Sequence, residues 1–141
     1  MRHFFDTTVL VAAVLEEHRD HFASFRALSS ATRTNSFCAA HSVAEMFATL
    51  MRIPGKQRLS AEQSLLAIGA VEDRLTAVSL DATEYFAAVR KFAAIGVIGG
   101  TIYDGLIGAC ALKSKADVIY TWNVAHFLLL GSEVAQKVRT P

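Results

Sequence analysis

Short apolar segments, each closed by a polar side chain, alternate along this chain with longer stretches of helical periodicity. Residues 2–6 run through His3-Phe4-Phe5 to Asp6, Thr34 to Cys38 forms a weaker segment, Leu75 to Leu80 stops at Asp81, and Asp117 to Thr121 leads into Trp122-Asn123. Several of these segments are apolar throughout, and a strand of that kind is buried on both faces. Strands separated by helices pair in parallel and need helical cover on each side. The expected fold is therefore α/β: three layers, α/β/α, around a central parallel sheet of four to five strands. At 141 residues the chain is one domain's length, and it carries no repeat, linker or low-complexity tract.

The intervening segments read as helices. Thr8 to Glu17 follows the first strand. His18 to Leu28 carries Phe22, Phe25 and Leu28 at three-residue steps, an amphipathic pattern. Val43, Met46, Phe47, Leu50 and Met51 recur at i, i+3, i+4, i+7 and i+8, and Pro54-Gly55 ends that helix. Ser60-Ala-Glu-Gln63 has the form of a capping box, with Leu65, Leu66, Ile68 and Val71 following. Asp81 caps a helix running to about Ile95, stopped by Gly96, and Thr101 caps another carrying Leu106, Ile107 and Cys110.

Composition excludes several classes. Hydrophobic residues make up 52% and charged residues 19%, which is not the balance of a disordered chain. Lys and Arg number 14 against 13 Asp and Glu, so there is no general basic coat for nucleic acid. Cys38 and Cys110 are too few for a disulfide framework and read as small core residues of a cytoplasmic protein. The N-terminal apolar run is interrupted by Asp6 and followed by Glu16-Glu17, unlike a signal peptide. Phe92 to Leu112 is apolar apart from Asp104, but a carboxylate near a span's centre costs about 2.5–3.5 kcal/mol. Gly96, Gly99 and Gly100 also divide the run, so no membrane span is expected.

In a sheet of this kind ligands sit beyond the carboxyl ends of the strands. Asp6, Glu45, Asp104 and Asn123 occupy such positions, after a strand or in the first turn of the next helix. Three converging carboxylates repel one another unless a cation neutralises them, and hard oxygen ligands select Mg²⁺ or Mn²⁺. The structural alternative is capping: Asp6 at the first helix, Ser42-Val-Ala-Glu45 as a capping box, Thr101-Ile-Tyr-Asp104 as its looser form. Glu45 also falls opposite the Val43/Met46/Phe47/Leu50 stripe, as an ordinary surface acid does. Spacing alone leaves both readings open. No dinucleotide fingerprint, P-loop or zinc-type pairing of the five histidines with the cysteines occurs, and His18 and His21 read as a surface helix. Arg52, Lys56 and Arg58 flank the Pro54-Gly55 loop, and Lys113 and Lys115 end the helix of Asp104.

Four motifs in order resemble the PIN-domain ribonucleases, specifically the VapC-type toxins of type II toxin–antitoxin systems. They are Phe4-Phe5-Asp6-Thr7-Thr8-Val9-Leu10, Ser42-Val43-Ala44-Glu45-Met46, Tyr103-Asp104-Gly105-Leu106-Ile107-Gly108-Ala109 and Thr121-Trp122-Asn123-Val124-Ala125-His126-Phe127. Together they span residues 4–127, and the third is the most specific. The resemblance implies a PIN-like fold and hydrolysis of RNA phosphodiesters with Mg²⁺, for which Mn²⁺ can substitute. It implies Asp6, Glu45 and Asp104 as the metal-site acids, Thr121 as a polar residue beside them, and Asn123 as a group orienting metal or water. Two departures stand out: Asn123 where the family often has Asp, and Thr8 where Ser or Asn is common. The implied partners are an RNA substrate (transfer, ribosomal or messenger), a cognate antitoxin seated in a groove, and a second copy of the chain.

Rival readings follow from the same residues. Another Mg²⁺-dependent phosphoesterase is one; a haloacid-dehalogenase-like phosphatase is disfavoured because Asp6-Thr7-Thr8 lacks the second Asp of its nucleophile motif. The other is a non-catalytic RNA- or protein-binding module, which Asn123 keeps open.

Overall fold

Five short strands form one all-parallel sheet in a computed structural model that describes residues 1–141. The strands are β1 (His3–Phe5), β2 (Ser36–Ala39), β3 (Thr76–Val78), β4 (Val118–Tyr120) and β5 (Val138–Arg139). Their spatial order is β3-β2-β1-β4-β5. Phe4 lies level with Phe37 of β2 and Ile119 of β4, so β1 is the central strand. The fifth strand is a two-residue piece at the sheet's edge, too short to leave a periodic signal.

Helices α1 (Thr7–Val14) and α2 (His21–Ser29) connect β1 to β2, and α3 (Ala40–Arg52) and α4 (Ala61–Arg74) connect β2 to β3. Helices α5 (Ala82–Ala94) and α6 (Thr101–Lys113) return the chain to β4, and the one-turn helices α7 (Val124–Phe127) and α8 (Ser132–Ala135) lead to β5. The first two crossovers step across the sheet in one direction and the last two in the other. Crossovers of one hand then place α1–α4 and α5–α8 on opposite faces. Two separate cores show this. Phe4, Phe37, Ile119 and Val138 join Phe92, Ile107, Phe127 and Val134 on one side. Phe5 and Cys38 join Val9, Leu10, Met46, Leu50 and Val71 on the other. Neighbouring residues Phe4 and Phe5 thus serve different cores, the two-residue alternation of a strand.

The capping boxes at Ser60/Gln63 and Asp81/Glu84 are both formed. The one expected at Ser42/Glu45 is not, because α3 begins at Ala40, two residues before Ser42 can act as its cap. Likewise Gly100, not Thr101, stands at the N-cap of α6. The amphipathic stripe of α2 buries only Leu28, while Phe22 and Phe25 remain exposed. No helix is long and apolar enough to cross a membrane. Burial pushes the Cys38 thiol up to about 12 and that of Cys110 to about 11, so both are unreactive core groups.

Candidate active site

The strand order reverses between β1 and β4, and the crevice beyond their carboxyl ends is where an α/β sheet presents ligands. Asp6 follows β1 and Thr121 follows β4 directly. The two meet: Thr121 Oγ1 donates to Asp6 Oδ2 at 2.8 Å, and Thr8 Oγ1 donates to the same oxygen at 2.8 Å. Thr8 Oγ1 in turn accepts the Trp122 backbone N–H at 3.0 Å, and Thr121 Oγ1 accepts that of Asn123 at 2.9 Å. One carboxylate therefore ties the start of α1 to the segment after β4. Asp6 stands at the N-cap position of α1 but makes no side-chain cap bond, so capping is not what holds it.

Asp6 is only 2% exposed. Burial pushes its carboxyl well above the ordinary carboxylate range, and the two threonine hydroxyls oppose this without cancelling it. The neighbouring charge of Asp104 pushes it further up. Asp104 sits in the first turn of α6, as its place after the Gly99-Gly100 loop predicts. Its Oδ2 lies 3.4 Å from Asn123 Nδ2 and 3.1 Å from His126 Nδ1.

Glu45 takes a different position from the one expected. It lies beyond the first turn of α3, and its Oε2 is 3.1 Å from His41 Nε2. It is not opposite the buried face either. Ser42, Met46 and Leu50 form the fully buried row of α3, with Val43 and Phe47 at one flank and Glu45 and Thr49 at the other. Ser42 turns the helix this way because its Oγ accepts the Thr7 hydroxyl at 2.8 Å in the interior. A polar residue at the centre of the buried row escapes a purely apolar count. Glu45 consequently looks onto a cavity of about 390 Å³ that it shares with Thr8, Thr49, Trp122 and Asn123. No three acidic, imidazole or thiol side chains yet stand close enough to share one ion.

Three neighbours were not singled out from spacing. His126 reaches Asp104 from one turn beyond Asn123, which its three-residue offset allows. His41 pairs with Glu45 and lies parallel to the Tyr103 ring. Arg19 lines the cavity and is largely exposed, with its Nε 3.6 Å from Asp20 Oδ2; Lys113 bonds Glu84 and the Ser79 carbonyl, and Arg58 bonds the Ile53 carbonyl. Trp122 lines the cavity while its Nε1 donates to Ser24 of α2 at 2.8 Å.

A doubly covered parallel sheet with a buried carboxylate at its switch point defines a class of α/β domains that take their ligands beyond the strand ends. The PIN domain family model matches residues 3–124, and the chain belongs to that family. Ribonuclease VapC40 of Mycobacterium tuberculosis is 31% identical over 117 residues, 81% of each chain. Among solved structures, the Mycobacterium tuberculosis toxin VapC20, described as cleaving the sarcin–ricin loop, superposes with TM-score 0.65 at 18% identity. That match covers 86% of this chain and 89% of VapC20. The VapBC2 complex of Rickettsia felis, bound to a DNA fragment from its promoter, also gives TM-score 0.65 at 18% identity, covering 100% of this chain and 99% of that one. These two likenesses speak for the fold.

Ribonucleases of this family use a divalent metal. The donor set here fits one. A buried carboxylate has both of its side-chain hydroxyl bonds on Oδ2, and a second carboxylate adds to its electrostatic penalty. A cation beside Asp6 and Asp104 relieves that repulsion with hard oxygen ligands.

Proposed function

We propose that this chain is a Mg²⁺-dependent endoribonuclease, with Mn²⁺ able to substitute, and the toxin of a type II toxin–antitoxin pair. The observation that carries the reading is the buried Asp6 carboxylate, held by Thr8 and Thr121 beside Asp104 at the sheet's switch point. Family membership and the VapC40 relative support it.

Asp6 and Asp104 hold the ion from one side, and Glu45 completes the set from the far wall of the cavity. Thr8 and Thr121 fix the Asp6 carboxylate so that it is presented without reorganisation. Asn123, an amide rather than an acid, orients metal or water and adds no charge. A divalent cation supplies, when bound, Lewis-acid stabilisation of the phosphodiester and a lowered pKa for water. Arg19, at the cavity mouth, is placed to meet a backbone phosphate.

The test is cleavage of a panel of transfer, ribosomal and messenger RNAs with Mg²⁺, with Mn²⁺ and with chelator. Discrete cuts that require metal and fall at least ~100-fold in Asp104→Asn are expected, since even outer-shell partners of a metal are worth about 10–100-fold. Cuts that survive in Asp104→Asn refute the assignment. Absence of both cleavage and metal binding would favour the binding-module reading.

Two apolar surfaces suit the partners. Phe25, Leu28, Leu66, Ala67 and Ala70 line a groove of about 760 Å³ between α2 and α4, with Arg74 among its walls. Phe22 and Leu65 add exposed apolar area on the same helices. An antitoxin segment is assigned to this groove. On the other side of the molecule Tyr85, Phe86, Val89, Ile95, Leu128 and Leu129 are exposed, a surface suited to a second copy of the chain. Leu66→Asp is expected to abolish co-purification with the antitoxin while leaving dimerisation intact, and Phe86→Lys the reverse. Light scattering on each complex distinguishes the two, and retention of antitoxin by Leu66→Asp overturns the groove assignment.

A further inference from the structure

Three polar atoms from two elements stand in a small triangle at the edge of the site. Asp104 Oδ2, His126 Nδ1 and the Asn123 side-chain amide are separated by 3.1 Å, 2.9 Å and 3.4 Å. Hydrogen bonding does not satisfy all three sides. If Nδ1 carries a proton and donates to Asp104, the Asn123 NH₂ faces a donor. If Nδ1 is bare and accepts from Asn123, its lone pair faces a carboxylate oxygen. Turning the amide by half a circle exchanges its nitrogen for its oxygen at the same place. The triangle then consists of three lone-pair donors.

That spacing has a simple meaning. Six ligands about 2.1 Å from a cation in octahedral geometry stand roughly 3.0 Å from their neighbours. The three observed separations bracket this value, so one cation capping the triangle meets all three atoms with little movement. The Asn-x-x-His offset puts both groups on one side of a helical turn, the same i, i+3 arrangement that carboxylate–histidine metal motifs use. Asp104 reaches them from α6 across the crevice. The His126 side chain is 52% exposed and that of Asp104 20%, so an ion from solvent can reach the triangle.

We infer that Asp104, Asn123 and His126 form one face of a cation site, with the His126 ring nitrogen as a direct ligand, and that the site therefore prefers a first-row transition metal such as Mn²⁺ to Mg²⁺. The inference rests on the metal-dependent reading above and adds to it a nitrogen ligand that the acids alone do not supply. Mg²⁺ takes oxygen ligands almost exclusively, whereas imidazole suits the transition metals. Replacing a family carboxylate by Asn123 lowers the charge at this end of the site, and a neutral imidazole makes up ligand number without restoring charge.

The test uses the full chain and the metals alone. Trp122 is the single tryptophan and shares the cavity wall with Asn123, so its fluorescence reports binding of Mn²⁺ and Mg²⁺ separately. His126→Ala is expected to weaken Mn²⁺ binding about 10–100-fold, as loss of a metal-site group does, and Mg²⁺ binding much less. Electron spin-echo spectroscopy of the Mn²⁺-loaded protein should show a directly coordinated nitrogen that disappears in His126→Ala and in His126→Gln. Mn²⁺ binding with no nitrogen signal, or a signal that persists in both variants, overturns the inference and leaves the nuclease reading standing. If neither Mn²⁺ nor Mg²⁺ binds, both readings are overturned.

Discussion

Asp6→Asn is expected to abolish RNA cleavage and, in the same protein, to raise the melting temperature measured in chelator. The two effects share one cause. The Asp6 carboxyl is pushed up chiefly by burial and then by Asp104, which means that the metal-free fold disfavours its ionised form. A group whose folded pKa lies above its unfolded one contributes most to stability at low pH. That contribution is lost as pH rises from the ordinary carboxylate value of 3.8 through the raised one. Above the ordinary carboxylate value the wild type therefore carries a penalty that the amide does not. Asn keeps an oxygen to accept from Thr8 and Thr121, so the hydroxyl clamp survives. Gains from relieving an active-site strain of this sort are about 0.5–2 kcal/mol, or roughly 2–6 °C for a domain of this size. The difference should shrink as the pH falls towards the ordinary carboxylate value of 3.8. Saturating Mn²⁺ should reverse the order, because only the wild type gains binding energy from the ion. Equal melting temperatures in chelator at neutral pH would show that Asp6 carries no electrostatic penalty, and the argument for a cation beside it would lose its main support.

How far this site can be read from the chain depends on which kind of signal each residue leaves. The places of Asp6 and Asp104 in the fold are legible because strand ends and glycine-marked helix starts fix where these residues fall. The doubly covered sheet is legible for a similar reason: segments such as His3–Phe5 are apolar without alternation, which only a strand buried on both faces requires. Glu45 is harder. Its orientation turns on Ser42, a polar residue at the centre of the buried row of α3, whose place is secured by a hydrogen bond to Thr7 some 35 positions away. No local pattern encodes that bond. His126 is harder still, because its partner Asp104 lies on α6 and a lone histidine carries no periodicity, whereas the His41–Glu45 pair is an i, i+4 spacing within α3 that carries meaning only once the orientation of Glu45 is known. The exposed Phe22, Phe25, Leu65 and Leu66 show the opposite failure. Their spacing is that of a core-facing stripe, yet the rest of this domain leaves them exposed.

Gly105→Val is expected to cost the protein about 2–3 kcal/mol and most of its metal affinity, although Gly105 touches no ligand. A Cβ at this position would stand 2.9 Å from Cδ2 of Phe92 and 3.2 Å from Cγ and Cε2. Phe92 is completely buried and sits in the core between α5 and the sheet, so its ring has nowhere to retreat. Overpacking of this kind costs about 1–3 kcal/mol, whereas replacing a helical glycine by alanine returns up to about 1 kcal/mol of propensity. For Gly105→Ala the two nearly offset and a small net loss is expected. Valine adds two further methyl groups and recovers less propensity, so the loss dominates. Gly69 of α4 supplies the control: a Cβ there would meet nothing within 4 Å, and Gly69→Ala should stabilise by up to about 1 kcal/mol. The functional consequence follows from adjacency. Asp104 precedes Gly105 in the first turn of α6, and pushing that turn away from α5 carries the carboxylate away from Asp6, Asn123 and His126. Urea midpoints for the three variants, with Mn²⁺ titrations on those that remain folded, separate packing from propensity. If Gly105→Ala is as stable as Gly69→Ala and binds Mn²⁺ like the wild type, the close approach of α5 and α6 is not what positions Asp104.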